Sequence, residues 1–336
     1  MKKLKRIFAV FFCLLLASGI LGGCGKAASS SAPALSASQS GSKPLKIVTT
    51  IFPEYDWVRE ILGDKADHAE VTMLLDNGVD LHSYQPTADD IIKISDCDLF
   101  IYVGGESDGW VEDALKEAAN KNMQVINLLD VLGERVKEEE VVEGMEAEEE
   151  ESEDENEPEY DEHVWLSLKN AETLCNAVTD ALEEIDPANK DAYAANAASY
   201  LEKLAALDGE YQTVVDNAAR KTVLFGDRFP FRYLVDDYGL SYYAAFAGCS
   251  AETEASFETV SFLAGKVDEL GLPCVLNIEG AQHKIAETIV QNSAAKNQSI
   301  LTLDSMQSTT SADAANGTTY LSVMESNLDV LKQALN

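Results

Sequence analysis

Short apolar runs of strand character alternate with amphipathic helical runs twice along this chain, and one uninterrupted helical stretch, Pro187 to about Ala219, separates the two series. No other feature constrains the fold as much. Leu45–Thr50, Glu70–Leu75, Leu99–Val103 and Gln124–Leu129 make the first series; Thr222–Phe225, Leu240–Phe246, Cys274–Ile278 and Ser299–Leu303 make the second. Near-continuous apolar strands with helices between them are the pattern of a parallel sheet covered on both faces. The expected class is α/β: two lobes, each a mostly parallel sheet flanked by helices, joined by one long rigid helix. A helix of this length would span about 45–50 Å at 1.5 Å per residue, enough to cross both lobes. Tyr193–Ala206 keeps no sustained heptad, so a single connecting helix is expected rather than a coiled coil. Thr87 with Asp90 three residues on is a capping-box signature for the start of a helix.

The chain divides accordingly. Residues 1–23 carry Lys2, Lys3, Lys5 and Arg6 before a short apolar run, the pattern of a signal peptide. Leu21-Gly22-Gly23-Cys24 resembles the lipobox of bacterial lipoproteins, which implies cleavage before Cys24 and lipidation of its thiol. Several acyl chains suffice for stable anchoring where one does not. Residues 24–44, rich in Ala, Ser, Gly and Pro, read as a flexible tether. The first lobe is expected over 45–185, the connecting helix over 186–220 and the second lobe over 221–336. The expected location is the extracytoplasmic face of the cell membrane, held by the lipid. A body of this length is too long for one comfortable core, so two are expected.

The formal charge is −34, and losing the signal's basic residues makes it more negative. Such a field repels nucleic acid and enriches cations near the surface. The acids are concentrated: 16 of the 25 residues from Glu138 to Glu162 are Asp or Glu and none is basic. A block like this buries too little apolar surface to fold, so 134–162 is expected to be a disordered loop that collects cations.

The chain has only four histidines. His82, in Gly-Val-Asp-Leu-His-Ser-Tyr, lies on a loop after the second strand; His163, in Asp-Glu-His-Val-Trp, lies where the acidic run becomes a helix. Neutral imidazole is the commonest protein ligand for divalent transition metals. In open parallel sheets, ligands bind beyond the carboxyl ends of the strands. Asp227, Glu279 and Asp304 each end a strand of the second series, so these acids and the two histidines are expected to meet in the interlobe cleft. His283 is an alternative nitrogen donor, and His68 reads as a surface residue. Cys97, Cys175, Cys249 and Cys274, far apart among apolar or small neighbours, read as buried free thiols, with a disulfide open but its pairing not fixed by spacing.

Over residues 45–336 the chain resembles the solute-binding lipoproteins of bacterial zinc and manganese ABC importers. The resemblance rests on His82-Ser83-Tyr84-Gln85-Pro86-Thr87, His163-Val164-Trp165-Leu166-Ser167, Phe231-Arg232-Tyr233 with Tyr238-Gly239-Leu240, Asn277-Ile278-Glu279, and Tyr320-Leu321-Ser322-Val323-Met324, in that order. It implies one metal ion in the cleft, with His82 and His163 as the first lobe's ligands and Asp304 and Glu279 as acidic positions of the second. The family's third ligand, a His or Glu three residues before the aromatic pair, falls on Arg228, which cannot ligate a cation; Asp227, one residue earlier, is the expected substitute.

Two imidazoles with one or two carboxylates suit tetrahedral zinc, and Zn²⁺ is the expected cargo, with Mn²⁺ (or Fe²⁺) as the alternative. The implied partners are a divalent ion, an importer permease with its ATPase, and the membrane through the anchor; no nucleic acid is expected, and a monomer is. No His-Glu-x-x-His helix or nucleophile elbow is present, so an enzyme is not expected. A zinc hydrolase and a surface adhesin are the competing readings.

Overall fold

Each series of strands builds its own parallel sheet, and the strands with the longest apolar runs lie in the middle. The computed structural model describes residues 43–146, 159–250, 254–280 and 283–336. In chain order the first lobe runs β1 (Leu45–Thr49), α1 (Phe52–Leu62), β2 (Ala69–Met73), α2 (Ala88–Asp96), β3 (Leu99–Tyr102), α3 (Val111–Lys116), β4 (Gln124–Asn127), α4 (Leu128–Leu132) and α5 (Leu168–Ile185). The connecting helix α6 (Lys190–Asn217) follows. The second lobe runs β5 (Thr222–Leu224), α7 (Arg232–Tyr238), β6 (Ser241–Tyr243), α8 (Phe257–Leu270), β7 (Cys274–Asn277), α9 (Lys284–Asn292), β8 (Ser299–Thr302), α10 (Ser311–Ala315) and α11 (Tyr320–Leu335). Among these residues no helix is long and apolar enough to cross a membrane. Cys24, the signal and nearly all of the tether lie outside them.

The first sheet has the order β2-β1-β3-β4, all parallel. β1 and β3 are central, which is why Ile47, Val48, Leu99, Phe100 and Ile101 are all buried. In the second lobe β5 pairs β6 and β7 pairs β8, both in parallel. A parallel bridge from Phe225 to Leu276 links the two pairs, so the order β6-β5-β7-β8 repeats the first lobe's plan. Every loop that leaves the carboxyl end of a strand therefore opens on one side of its sheet. The Thr87 cap forms as expected: its hydroxyl accepts Asp90 N–H while the Asp90 carboxylate accepts Thr87 N–H at 3.0 Å.

α6 buries Tyr193, Ala197, Tyr200, Leu204, Leu207, Tyr211 and Val215, a stripe at three- and four-residue spacing along its whole length. Asn196 Nδ2 donates to Ile61 O of α1 at 3.0 Å, and Asp208 accepts the Tyr238 hydroxyl of α7 at 2.9 Å, so the helix is fastened to both lobes.

Two expectations change. Residues 43–336 form one compact unit, and one continuous core includes side chains of both lobes, with a smaller cluster around Leu224, Phe246 and Val260. Trp165 makes the junction: its Nε1 donates to Ser305 O at 2.9 Å, and its carbonyl accepts the Tyr320 hydroxyl at 2.7 Å. The second change concerns the acidic run. Expected to be disordered over 134–162, it is ordered at both described ends, where Glu138 bridges Tyr160 in antiparallel fashion and Glu139 N–H donates to Glu159 O at 2.9 Å. Residues 147–158 lie outside the described residues. The chain from Lys137 to Glu146 crosses the second lobe: Lys137 N–H donates to the Tyr233 hydroxyl, Arg232 pairs with Glu140, and Glu146 N–H donates to Ala245 O. Backbone pairing and salt bridges supply the order that apolar periodicity does not.

Candidate metal centre

His82 sits in a short 3-10 turn, Leu81–Ser83, seated by the buried Leu81 side chain. The Asp80 carboxylate caps that turn by accepting His82 N–H at 3.0 Å. The His82 Nδ1 lies 2.9 Å from Ser107 Oγ and 3.3 Å from Glu162 Oε2, both on loops at the same edge of the first sheet. His163, fully buried, precedes the turn Val164–Leu166; its backbone N–H and its Nδ1 both engage Asp161 Oδ1, at 2.9 and 3.0 Å. With each Nδ1 occupied by a hydroxyl or carboxylate, the free nitrogen of each ring is Nε2, the arrangement that fixes a metal-binding histidine's tautomer. The two Nε2 atoms face each other at 3.2 Å. Two nitrogens bound to one tetrahedral zinc at about 2.05 Å each would stand roughly 3.3 Å apart. The rings are thus already at the separation a shared ion requires.

The third candidate donor is a residue that sequence reasoning assigned to the core. One ligand atom from each of His82, His163 and Cys249 lies within 4.8 Å of the others; among the described residues no other such group of three forms. Cys249 follows β6, and Gly248 before it brings the loop against the site: a Cβ there would meet Phe229 O at 2.9 Å and His163 Cε1 at 3.1 Å. All four cysteines described are free thiols; Cys97, Cys175 and Cys274 are buried and Cys249 is half-buried. A signal for Cys249 existed, since it lies beyond the carboxyl end of a second-lobe strand just as Asp227, Glu279 and Asp304 do.

Those three acids stand outside the donor cluster, each holding its own loop. Asp227 accepts Arg228 N–H at 2.9 Å and Ile278 N–H at 3.2 Å. Glu279 accepts Ser305 N–H at 2.6 Å, Ser305 Oγ–H at 2.7 Å and Gln307 N–H at 3.0 Å. Asp304 accepts Met306 N–H at 2.8 Å, and burial together with the Glu279 charge pushes its pKa up to about 6. His283 caps the start of α9 in a left-handed conformation, φ 35°, and also lies outside the cluster; His68 is exposed.

Electrostatics favour a cation here. Burial depresses the His163 pKa, but Asp161, then Glu162 and Asp80, more than reverse this and leave it above its usual value. Burial would raise Glu162, yet hydrogen bonds from His82 and Ser107 hold it below the ordinary carboxylate range. Burial and the carboxylates of Glu139, Asp161 and Glu162 push the Cys249 thiol well up. A cavity of about 280 Å³ opens onto His82 and Cys249 between Glu106, Glu159 and Glu162, so an arriving cation meets an acidic mouth.

Two parallel-sheet lobes on a long helix, with a nitrogen–sulfur donor cluster between loops of both, define a solute-binding protein of the metal-carrying class. Comparison with known proteins agrees. The family model described as "Zinc-uptake complex component A periplasmic" matches residues 47–334. The high-affinity zinc uptake system protein ZnuA of Bacillus subtilis (strain 168) is 31% identical over 337 residues, covering 99% of this chain and 98% of that protein. The zinc-binding lipoprotein AdcA of Streptococcus pneumoniae serotype 4 is 32% identical over 292 residues, 86% of this chain; the chain spans only 55% of that protein. The crystal structure of the Zn(II)-bound ZnuA-like domain of S. pneumoniae AdcA superposes with a TM-score of 0.67 at 30% identity, covering 87% of this chain and 98% of that one. The chain belongs to the ZnuA family of zinc-uptake binding components, a family of transport proteins and not of enzymes.

Proposed function

We propose that this protein captures Zn²⁺ outside the cytoplasm and hands it to the permease of an ABC importer. The observation that carries the reading is the donor set: two imidazoles 3.2 Å apart and a thiol within 4.8 Å of both. Two nitrogens and a sulfur, closed by water or a fourth group, suit zinc. A thiolate discriminates against manganese, which prefers oxygen. Ligands drawn from both lobes suit a carrier, since a small displacement of the Cys249 loop removes part of the shell. Lipidation at Cys24 and partnership with a permease and its ATPase belong to the same proposal, supported by family membership and the lipobox.

Competitive loading tests it. Metal-free protein offered equimolar zinc and manganese should retain one zinc per chain after gel filtration, read by elemental analysis. Preferential retention of manganese, or of neither ion, would overturn the assignment.

A further inference from the structure

We propose that Arg228 is the residue that positions the metal's donors, by clamping the loop that carries His82 to the loop that carries Cys249. The inference rests on the metal reading of the site.

Its Nη2 lies 2.6 Å from Asp80 Oδ2. The other oxygen of the same carboxylate accepts His82 N–H, so Asp80 passes the grip directly to a ligand-bearing residue. At the opposite end of the fork, Nη1 donates to Ser250 O at 3.2 Å, the carbonyl next in sequence to Cys249. One planar group thus reaches both loops at once, a task suited to the rigid guanidinium fork and not to a single ammonium point.

The clamp has a fixed base. Arg228 N–H is held by Asp227, whose second oxygen accepts Ile278 N–H at the end of β7, and the Arg228 backbone forms a parallel bridge to Phe246 just before the Cys249 loop. Gln307 backs it from another direction: with its amide nitrogen facing Asp80 it lies 3.2 Å from both carboxylate oxygens. The arginine side chain retains only 18% of its exposure. Its charge is cancelled by Asp80, so it holds the loops together with little net repulsion of the cation.

This explains why arginine stands where the family resemblance leads one to expect a ligand. The guanidinium cannot itself donate to a cation; Cys249 lies on the neighbouring loop, and Arg228 holds that loop in register with His82.

The test compares Arg228→Lys, Arg228→Gln, Asp80→Asn and the double variant Asp80→Asn/Arg228→Gln with the unaltered protein, all as the full soluble body. Three quantities are read: the zinc dissociation rate by transfer to a chromogenic chelator, the thiolate-to-Co²⁺ charge-transfer band of cobalt-loaded protein, and the thermal midpoint of the metal-free form. Residues that orient ligands typically change metal affinity by about 10–100-fold. Each single variant should therefore speed zinc release by roughly that factor. The double variant should be little worse than the worse single one, because both remove the same link. Arg228→Lys should release zinc as fast as Arg228→Gln, and the cobalt–thiolate band should persist throughout. Release rates that match the unaltered protein, single effects that multiply in the double variant, or full retention by Arg228→Lys would each overturn the clamp. So would release that tracks nothing but the metal-free midpoint. Absence of the thiolate band from the unaltered protein would instead overturn the metal reading, and the clamp with it.

Discussion

The carboxylate of Glu139 accepts the backbone N–H of Cys249 at 2.9 Å. An acid of the charged run therefore fixes the loop that carries the candidate sulfur donor. Glu139 is half-buried while Glu138 and Glu140 on either side are exposed, the alternation of an extended chain.

Replacing the sulfur should be costly. Structural zinc sites bind with about 10–16 kcal/mol shared among their ligands, so one donor is worth roughly 3 kcal/mol, on the order of 100-fold in affinity. Cys249→Ala is expected to weaken zinc binding by about that factor and to abolish the cobalt–thiolate band while leaving the metal-free fold intact. Zinc affinity equal to that of the unaltered protein, by chelator competition, would remove Cys249 from the site.

Zinc affinity should rise with pH. His163 holds its proton to a pH above 6.5 because the nearby carboxylates outweigh the effect of burial, and the Cys249 thiol is pushed well up. Zinc must displace both protons, so affinity is lost as pH falls through the raised histidine pKa, by about tenfold per unit for each proton released. Asp161→Asn should move the histidine part of this loss to lower pH. Calorimetry in buffers of different ionisation enthalpy counts the protons; a value near zero at pH 6.5 contradicts the assignment.

Stability of the metal-free protein should carry a contribution of opposite sign. Glu54, fully buried at the start of α1, accepts Thr50 N–H at 2.8 Å, but burial and the Asp108 charge push its pKa up to about 8. The folded state then holds a proton that the unfolded chain releases near 4.5. The stability this gives is complete below that value and is lost as pH rises towards 8, a change on the order of a few kcal/mol. Glu54→Gln, which cannot ionise, should flatten the decline of the unfolding midpoint between pH 5 and 8. Parallel curves for the two proteins would show that Glu54 is charged throughout.

Gly105 is disfavoured from carrying a side chain for a steric reason. Its φ is 81°, and a Cβ there would come within 2.2 Å of Glu162 Oε1, the oxygen that accepts Ser107 N–H. Gly105→Ala should displace Glu162 from His82, weaken zinc binding about tenfold and cost about 1–3 kcal/mol of stability. Chelator competition and denaturant titration measure the two effects separately.

Much of the framework could be read directly. Seven of the eight strands lie within a residue or two of their apolar runs, and β6 (Ser241–Tyr243) ends three residues short of Phe246; the central strands β1 and β3 bury apolar side chains on two faces, which is what made them legible. His82 and His163 were marked by their scarcity and by their place at element junctions. The second lobe's contribution was obscure for a physical reason. Asp227, Glu279 and Asp304 occupy strand ends where a ligand would sit, yet a carboxylate there serves equally well to satisfy loop N–H groups, and in this structure each of them accepts such a group. Cys249, among small and apolar neighbours, has the local composition of a core thiol. The order of the acidic run also escaped composition, because it comes from pairing 137–139 with 159–161, a long-range register.

Tyr320 reaches the first lobe from two directions, its amide donating to Asp56 at 2.8 Å and its hydroxyl to the Trp165 carbonyl. Together with α6 this ties the two sheets to each other, an arrangement that resists the wide swing of a hinged jaw. On the proposed reading, release is expected to begin at the rim, with the Cys249 loop lifting away while the imidazole half stays seated.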